Sequence, residues 1–118
     1  MQYILLIYAN EAEQAKRSAE ENAQIFDAYM SFSKSIQDSG HMKGGEPLEP
    51  SSTATTVRVK GGKVVRTDGP FAETREQLGG YYLIEAKDLD EAVAIAARIP
   101  DANGGSIEVR PVMQIPGM

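Results

Sequence analysis

Residues 68–84 organise the rest of the chain, and they read DGPFAETREQLGGYYLI. A Gly-Pro turn, a polar loop and a glycine pair follow one another before the stretch ends in an apolar strand. Glycine and proline favour special backbone angles, and ionisable side chains lie close to sequence that should be buried. A plain connector needs less than this, so we expect the stretch to have a structural or functional duty of its own.

The elements on either side of this stretch follow from periodicity. Upstream, residues 53–60 and 63–67 alternate polar and apolar side chains around Gly61 and Gly62, which predicts a β-hairpin with one wet face. Downstream, the stretch runs into a strand at residues 80–86. A second helix, capped by Asp88 with Glu91 and ended by Pro100, precedes a last strand at residues 106–112. The predicted core face of that helix is Leu89, Ala92, Val93, Ala96 and Ile99.

The N-terminal third begins with YILLIY at residues 3–8, which predicts a buried strand. A polar loop or short helical turn at residues 9–17 leads to Ser18 and Glu21. These two residues form a capping-box pattern that starts a helix of about residues 19–39. Gly40 ends the helix, and residues 41–48 are interpreted as a short strand. The predicted core face of this first helix is Ile25, Tyr29, Phe32 and Ile36.

Without the hairpin, the element order is βαβ-βαβ, which indicates a ferredoxin-like α+β domain. Right-handed crossovers place both helices on one face of the sheet. Four strands at ~4.8 Å spacing make a sheet ~19 Å wide, and two helices cover only one side of it. Residues 3–8 and 81–84 are apolar on both faces, so the second side needs a cover. We expect a homodimer packed sheet on sheet; a flexible loop over that face is the alternative.

Composition excludes several kinds of site. The chain has 118 residues, a net charge of −5, no cysteine and one histidine, His41. Disulfides, thiolate catalysis and a multi-histidine metal site within one subunit are therefore excluded, and we expect neither a metal nor a cofactor. The acidic balance argues against nucleic acid as a partner. With no apolar run of ~20 residues, we expect no membrane span and a cytoplasmic protein.

The stretch at residues 68–82 closely resembles the DGPF motif of the YCII-related proteins. Further similar segments extend the resemblance over nearly the whole chain: GGEPL (44–48), STATTVR (52–58), DLDEA (88–92) and GSIEVRPV (105–112). The resemblance implies a single domain with a ferredoxin-like fold that pairs into a dimeric α/β-barrel. It implies less about activity, because the DGPF group is largely of unknown activity and some members are encoded near extracytoplasmic-function sigma factors.

Smaller relatives in this family have a His/Asp pair, proposed as catalytic, in the cleft between sheet and helix. Their histidine lies on the first helix. The first predicted helix here has no histidine, and His41 follows it. The pair therefore does not carry over to this sequence residue by residue.

Asp68 and His41 are the candidate catalytic residues. A carboxylate beside a Gly-Pro turn can act as a general base if burial raises its pKa. Alternatively, Asp68 accepts backbone hydrogen bonds within its own turn. His41 is the one side chain that ordinarily titrates near neutral pH; alternatively, its position after a helix simply favours the helix dipole.

Four further residues are candidates for ligand binding. Arg75 can hold a carboxylate or phosphate with two hydrogen bonds, or it belongs to a solvated loop at residues 73–77. Glu46 follows a glycine pair that lets the backbone approach a ligand, or it belongs to an ordinary turn. Tyr29 and Tyr82 either line a small-molecule pocket or pack in the core.

Two functions compete at this point. In the first, a homodimer binds a small molecule between its sheet and first helix, with or without acid–base chemistry centred on Asp68. That cleft would be lined by Tyr29, His41, Glu46, Asp68 and Arg75. In the second, the chain is a non-enzymatic accessory or regulatory protein whose loop at residues 68–77 contacts a protein partner or shapes the dimer. The resemblance adds a link of this second function to sigma-factor regulation.

Overall fold

The computed structural model describes residues 1–117 and shows three α-helices and six strands within them. In chain order these are β1 (Gln2–Ala9), α1 (Glu11–Gln14), α2 (Ala19–Asp38), β2 (Met42–Pro47), β3 (Thr55–Lys60), β4 (Lys63–Asp68), β5 (Gln77–Glu85), α3 (Leu89–Ala96) and β6 (Ser106–Pro111). Two 3₁₀ turns span Ser51–Thr53 and Pro100–Ala102.

β1 and β5 form the centre of a four-stranded sheet whose order is β2-β5-β1-β6, with every neighbouring pair antiparallel. The two helix crossovers, β1-α2-β2 and β5-α3-β6, each skip one strand, as they do in a ferredoxin-like domain. The predicted α+β, ferredoxin-like fold is therefore confirmed. A β-bulge places Gly79 between the pairs Ile7–Gly80 and Tyr8–Leu78, at the end of the sheet where β5 begins.

The helices α2 and α3 lie on the same face of this sheet, and the core lies between these helices and the sheet. Alternate residues of β1 point into that core, and the residues between them are half-buried on the opposite face. The core side chains are Tyr3, Leu5, Ile7, Phe32, Ile36, Tyr82, Ile84, Ala86, Ala92, Ile95, Ala96 and Ile99. The opposite face has no helix on it and presents Ile4, Leu6, Tyr8, Tyr81 and Leu83, all half-buried.

Local signals explain where the two long helices begin. At α2, the Glu21 amide donates to Ser18 Oγ at 3.1 Å, and the Ser18 amide donates to the Glu21 carboxylate at 3.2 Å. At α3, the Glu91 amide donates to Asp88 Oδ1 at 2.9 Å. Both predicted caps are confirmed. No helix in residues 1–117 combines the length and the apolar character needed to cross a membrane.

The hairpin β3–β4 forms a separate two-stranded sheet. Gly61 and Gly62 both have positive φ (56° and 77°), the geometry of a type I′ turn, which glycine adopts without strain. Residues directly opposite each other share a face, so Val57, Val59 and Val64 lie on one side. These valines are 58–68% exposed. The alternating pattern predicts one wet face, and within a single chain both faces of the hairpin are wet.

Three predicted details differ from the structure. β5 begins at Gln77 rather than at residue 80, because Gln77 and Leu78 continue the ladder with the end of β1. α3 ends at Ala96, and residues 97–99 between it and Pro100 form a tighter turn. The core face of α3 is also rotated: Leu89 and Val93 are 52% and 49% exposed, whereas Ile95, absent from the predicted face, is buried.

A matched pair of substitutions tests this orientation of α3. Ile95→Ala removes a side chain that is 4% exposed, and we expect the free energy of unfolding to fall by about 2–4 kcal/mol. Val93→Ala lies two residues away and is half-exposed, so we expect a change within about 0.5 kcal/mol. Urea denaturation followed by circular dichroism measures both. Equal losses in the two variants would contradict the rotated face.

Candidate functional site

A cavity of about 520 Å³ lies between the N-terminal half of α2 and the end of the sheet where β1 ends and β5 begins. This volume falls in the range typical of small-molecule sites. The helix wall repeats at intervals of three and four residues, as one helical face does. That wall comprises Asn22, Ile25, Phe26, Tyr29, Met30 and Ser33. The facing strands contribute Ile7, Met42, Gly45, Glu46, Tyr81 and Tyr82.

The cavity exists because α2 packs into the core only through its C-terminal half. Phe32 and Ile36 are the buried residues of this helix. Ile25 and Tyr29, on the same side toward the N-terminus, are half-buried, and Phe26 and Met30 on the adjoining side are 64% and 57% exposed. Apolar residues therefore line a space that the chain does not fill.

On the sheet side, Gly45 permits a close approach of two strands at the cavity wall. A Cβ at this position would lie 2.8 Å from the Tyr81 carbonyl oxygen and 2.9 Å from Tyr82 Cδ1. Both distances are shorter than a carbon atom tolerates, and one neighbour is backbone, so any side chain here would displace the wall. The glycine pair of the sequence thus has a steric reason at this residue.

Asp101 holds the polar end of the cavity together. Its Oδ2 accepts a hydrogen bond from the Tyr29 hydroxyl at 2.5 Å, and its Oδ1 lies 3.6 Å from Arg17 Nη2. The Asp101 and Arg17 side chains are 13% and 27% exposed. Since charge pairs shielded from water interact more strongly than surface pairs, this cluster is a fixed feature of the wall.

Burial raises the pKa of the Tyr29 phenol well above its ordinary value, and the hydrogen bond to Asp101 raises it further. The phenol therefore stays protonated at neutral pH, and its proton is committed to Asp101. The lone pairs of the phenol oxygen remain free to accept a hydrogen bond. Tyr29 is thus arranged to accept a hydrogen bond from a ligand and is a poor candidate for a general base.

A pair of hydrogen-bonded hydroxyls lies one helical turn further along the cavity wall. Ser33 Oγ and Tyr82 Oη are 2.6 Å apart, and Ser33 follows Tyr29 at the i+4 position on α2. The Tyr82 ring is held by an edge-to-face contact with Phe32, with 5.1 Å between ring centroids. Because these hydroxyls bond to each other, one hydroxyl hydrogen is left over for a ligand.

The charged groups of the lining are mostly carboxylates. Glu11, Glu46, Glu49 and Asp101 line the cavity together with one cation, Arg17. The Glu11 carboxylate accepts hydrogen bonds from the Ser51 amide at 2.8 Å and from the Ser51 hydroxyl. Glu46 and Glu49 are exposed at the rim. The cavity therefore offers more hydrogen-bond acceptors than donors.

Comparison with known proteins identifies the family. The YCII-related domain matches residues 1–116. The chain belongs to the YCII-related family. An uncharacterized protein of Rhizobium meliloti (strain 1021) is 37% identical over 114 residues, which cover 95% of this chain and 92% of that protein. The family resemblance of the sequence is therefore confirmed.

A solved structure extends the comparison of the fold. The 5-chloro-2-hydroxyhydroquinone dehydrochlorinase of Burkholderia phenoliruptrix AC1100, in complex with 2,5-dihydroxybenzoquinone, superposes with a TM-score of 0.53. The alignment covers 96% of this YCII-related chain and 94% of the dehydrochlorinase, at 11% sequence identity. At that identity the similarity shows a shared fold.

Three of the predicted site residues of this YCII-related chain line the cavity: Tyr29, Glu46 and Tyr82. His41 does not. It follows the C-terminal end of α2, which is about 14 Å along the helix axis from Tyr29. There its Nδ1 lies 2.7 Å from Ser39 Oγ, and its Nε2 lies 3.3 Å from a carboxylate oxygen of Glu91 on α3. The expectation that His41 lines the cleft is wrong for this cavity.

Asp68 and Arg75 are also absent from the cavity lining. Asp68 is the last residue of β4, Arg75 belongs to the loop before β5, and both side chains are exposed. Asp68 lies away from the cleft because β3 and β4 form their own sheet, whereas Arg75 lies in the exposed loop two residues before β5. Their placement in the cleft is corrected, whereas the chemical roles proposed for them remain predictions.

The sequence interpretation missed Arg17, Ser33 and Asp101. Tyr29 and Asp101 are 72 positions apart, so no local spacing reveals their contact. A weak signal was present at Pro100, which begins a 3₁₀ turn and so fixes the backbone around Asp101. In the described part of the chain, no cluster of three His, Asp or Glu residues is arranged to hold a metal ion.

The raised pKa of Tyr29 predicts a pH dependence of stability. Above about pH 10 the unfolded chain loses the Tyr29 proton while the folded chain keeps it, so the free energy of unfolding falls with rising pH. The slope from this one group is about 1.4 kcal/mol per pH unit. Tyr29→Phe removes the contribution, so we expect the wild type and the variant to converge as the pH rises above 10.

Urea denaturation at several pH values measures this difference. Below pH 9 both states keep the phenol proton, and the gap between wild type and Tyr29→Phe should be constant, which serves as the control. A gap that stays constant through pH 11 would contradict the burial and hydrogen bonding described for Tyr29.

Proposed function

We propose that this YCII-related chain binds a small organic molecule in the cavity between α2 and the sheet, and that it does so as a homodimer. The observation that carries the proposal is the half-buried Tyr29–Asp101–Arg17 cluster at the end of a mostly apolar cavity of about 520 Å³. Convergent polar groups in a mostly apolar pocket are typical of ligand sites. Scattered surface charges do not have this arrangement.

The lining indicates the chemistry of the ligand. Tyr29 and Tyr82 with Phe26 and Met30 suit a flat apolar body. Four carboxylates and one cation line the cavity, so a complementary ligand carries hydroxyl or amine hydrogens and has no net negative charge. The distantly similar dehydrochlorinase was solved with 2,5-dihydroxybenzoquinone, a flat hydroxylated ring. That supports placing hydroxylated aromatic compounds first among the candidates.

Proton transfer in this cavity would pass through Asp101. A ligand hydroxyl that donates to Tyr29 Oη is linked through the Tyr29 proton to the Asp101 carboxylate, so one proton can move at each end of the pair. Arg17 pairs with the same carboxylate. Asp68 is exposed and lies outside this arrangement, so the acid–base role predicted for it stays separate and untested.

The homodimer is supported by the uncovered face of the sheet. Ile4, Leu6, Tyr8, Tyr81 and Leu83 share this face and are half-buried in the single chain. A sheet of four strands presents roughly 450–500 Å² there, close to the largest apolar patch a monomer usually exposes. Two such faces packed together bury about 1,000 Å², the lower limit for a specific interface.

A ligand screen with two matched variants tests the proposed site. We expect hydroxylated aromatic compounds and aromatic amines to raise the Tm of the wild type more than aromatic carboxylates do. A ligand at 100 times its Kd adds about 2.7 kcal/mol, which a thermal-shift assay resolves. Asp101→Asn removes the charge that orients Tyr29, so we expect its Kd for the best compound, measured by calorimetry, to be about tenfold weaker.

Asp90→Asn is the control, because Asp90 is an exposed carboxylate in the first turn of α3. Its Kd should equal that of the wild type. A best compound that binds wild type and Asp101→Asn equally well, or a screen in which no compound raises the Tm, would contradict the proposal.

A further inference from the structure

The hairpin β3–β4 has an apolar face that the chain itself does not cover. We call Val57, Val59 and Val64 the valine face; the three residues share one side of the hairpin with Arg66 and are 58–68% exposed. β3 alternates polar and apolar residues, a pattern typical of a strand that is wet on one side and covered on the other, whereas β4 also places Val65 on the opposite side. A two-stranded hairpin is also marginal by itself in water. Both arguments require a cover for the valine face.

The hairpin is basic within an acidic chain. Its strands carry four cations, Arg58, Lys60, Lys63 and Arg66, against one carboxylate, Asp68, whereas the whole chain has a net charge of −5. The remainder of the chain is therefore more acidic than the total indicates. Opposite charge on hairpin and body favours contact between them.

An apolar surface with acidic neighbours surrounds the mouth of the cavity. We call Phe26, Met30 and Leu48 the mouth patch; these side chains are 64%, 57% and 47% exposed. Glu49, also exposed, lies in the same cavity lining. The mouth patch thus offers what the valine face and its basic neighbours lack: an apolar surface beside a carboxylate.

We propose that the valine face of each hairpin packs on the mouth patch of a second copy of this chain and closes that copy's cavity. The inference rests on the homodimer of the proposed function and adds that each site is completed by its partner. Two-fold symmetry makes the contact reciprocal, so both cavities close in the same assembly. Arg66, on the same side as the valine face, then approaches Glu49 of the receiving copy.

The buried area is consistent with a stable dimer. A six-residue strand is about 20 Å long and two strands are about 10 Å wide, so one hairpin face covers roughly 200 Å². Two reciprocal contacts, counted on both copies, bury about 800 Å². Added to about 1,000 Å² for the packed sheets, the total reaches about 1,800 Å², within the range of specific interfaces.

A nucleic acid is the competing partner for a basic two-stranded ribbon. Its phosphates would engage Arg58, Lys60 and Lys63 but would leave the valine face uncovered. The acidic body of the chain would also repel it. These observations favour a second copy.

The absence of native cysteine makes a cross-linking test clean. Two single-cysteine variants, Val59→Cys and Met30→Cys, place thiols on the valine face and on the mouth patch, both at exposed positions. The variants are mixed, allowed to exchange subunits and oxidised. Since a disulfide needs Cα atoms within about 7 Å, we expect a covalent heterodimer on a non-reducing gel. It should form at least tenfold faster than in a control mixture of Val59→Cys with Val93→Cys.

The outcomes separate the two proposals. A dimer mass by analytical ultracentrifugation with equal cross-linking in both mixtures overturns the hairpin contact and leaves the homodimer standing. A monomer mass at micromolar concentration overturns both. Retention on immobilised DNA at physiological salt that is lost in Lys60→Glu would assign the hairpin to nucleic acid and overturn the inference.

Discussion

The Asp101 carboxylate accepts a hydrogen bond from Tyr29 and pairs with Arg17. Through these contacts the 3₁₀ turn before β6 is held to α2 and to the segment that precedes it. A hydrogen bond to a charged group contributes about 1.5–3 kcal/mol, and removing one partner of a buried group leaves the other unsatisfied. The walls of the cavity thus keep their spacing because three distant segments meet at one side chain.

α2 carries two kinds of apolar residue. Phe32 and Ile36 pack into the core, while Phe26 and Met30 stay exposed at the open cavity. Fully burying a side chain of that size contributes about 1.5–3 kcal/mol. In the single chain, Phe26 and Met30 gain only part of this stabilisation because they are exposed. The same holds for the valine face of the hairpin. A fold that leaves apolar surface open at both places is consistent with surfaces that are covered in the bound or assembled state.

Features that depend on neighbouring residues could be predicted from the sequence. The Ser18 and Asp88 caps, the hairpin around Gly61 and the buried strand β1 all follow from local spacing, and their order determines the ferredoxin-like topology. The core face of α3 was harder, because Leu89, Val93 and Ile95 are all apolar and periodicity alone does not choose among them. The packing of α3 against β6 and into the shared core makes that choice.

The candidate site could be predicted only in part, for a related reason. Tyr29, Glu46 and Tyr82 were identified because they lie near apolar or glycine-rich sequence, and all three line the cavity. Asp101 and Arg17 could not be found, since their significance comes from contacts made across the fold. The ionisable residues around Asp68 drew attention through local composition, but the hairpin takes them away from the cleft.

The central claim is that the space beside Tyr29 and Asp101 is a ligand site, and a crystal structure of the chain with its tightest small-molecule ligand tests this most directly. The account predicts ligand density between the N-terminal half of α2 and β5. It also predicts a donor atom of the ligand within hydrogen-bond distance of Tyr29 Oη or the Asp101 carboxylate. Density on the opposite face of the sheet or along the hairpin, with the cavity beside Tyr29 left to solvent, would contradict it.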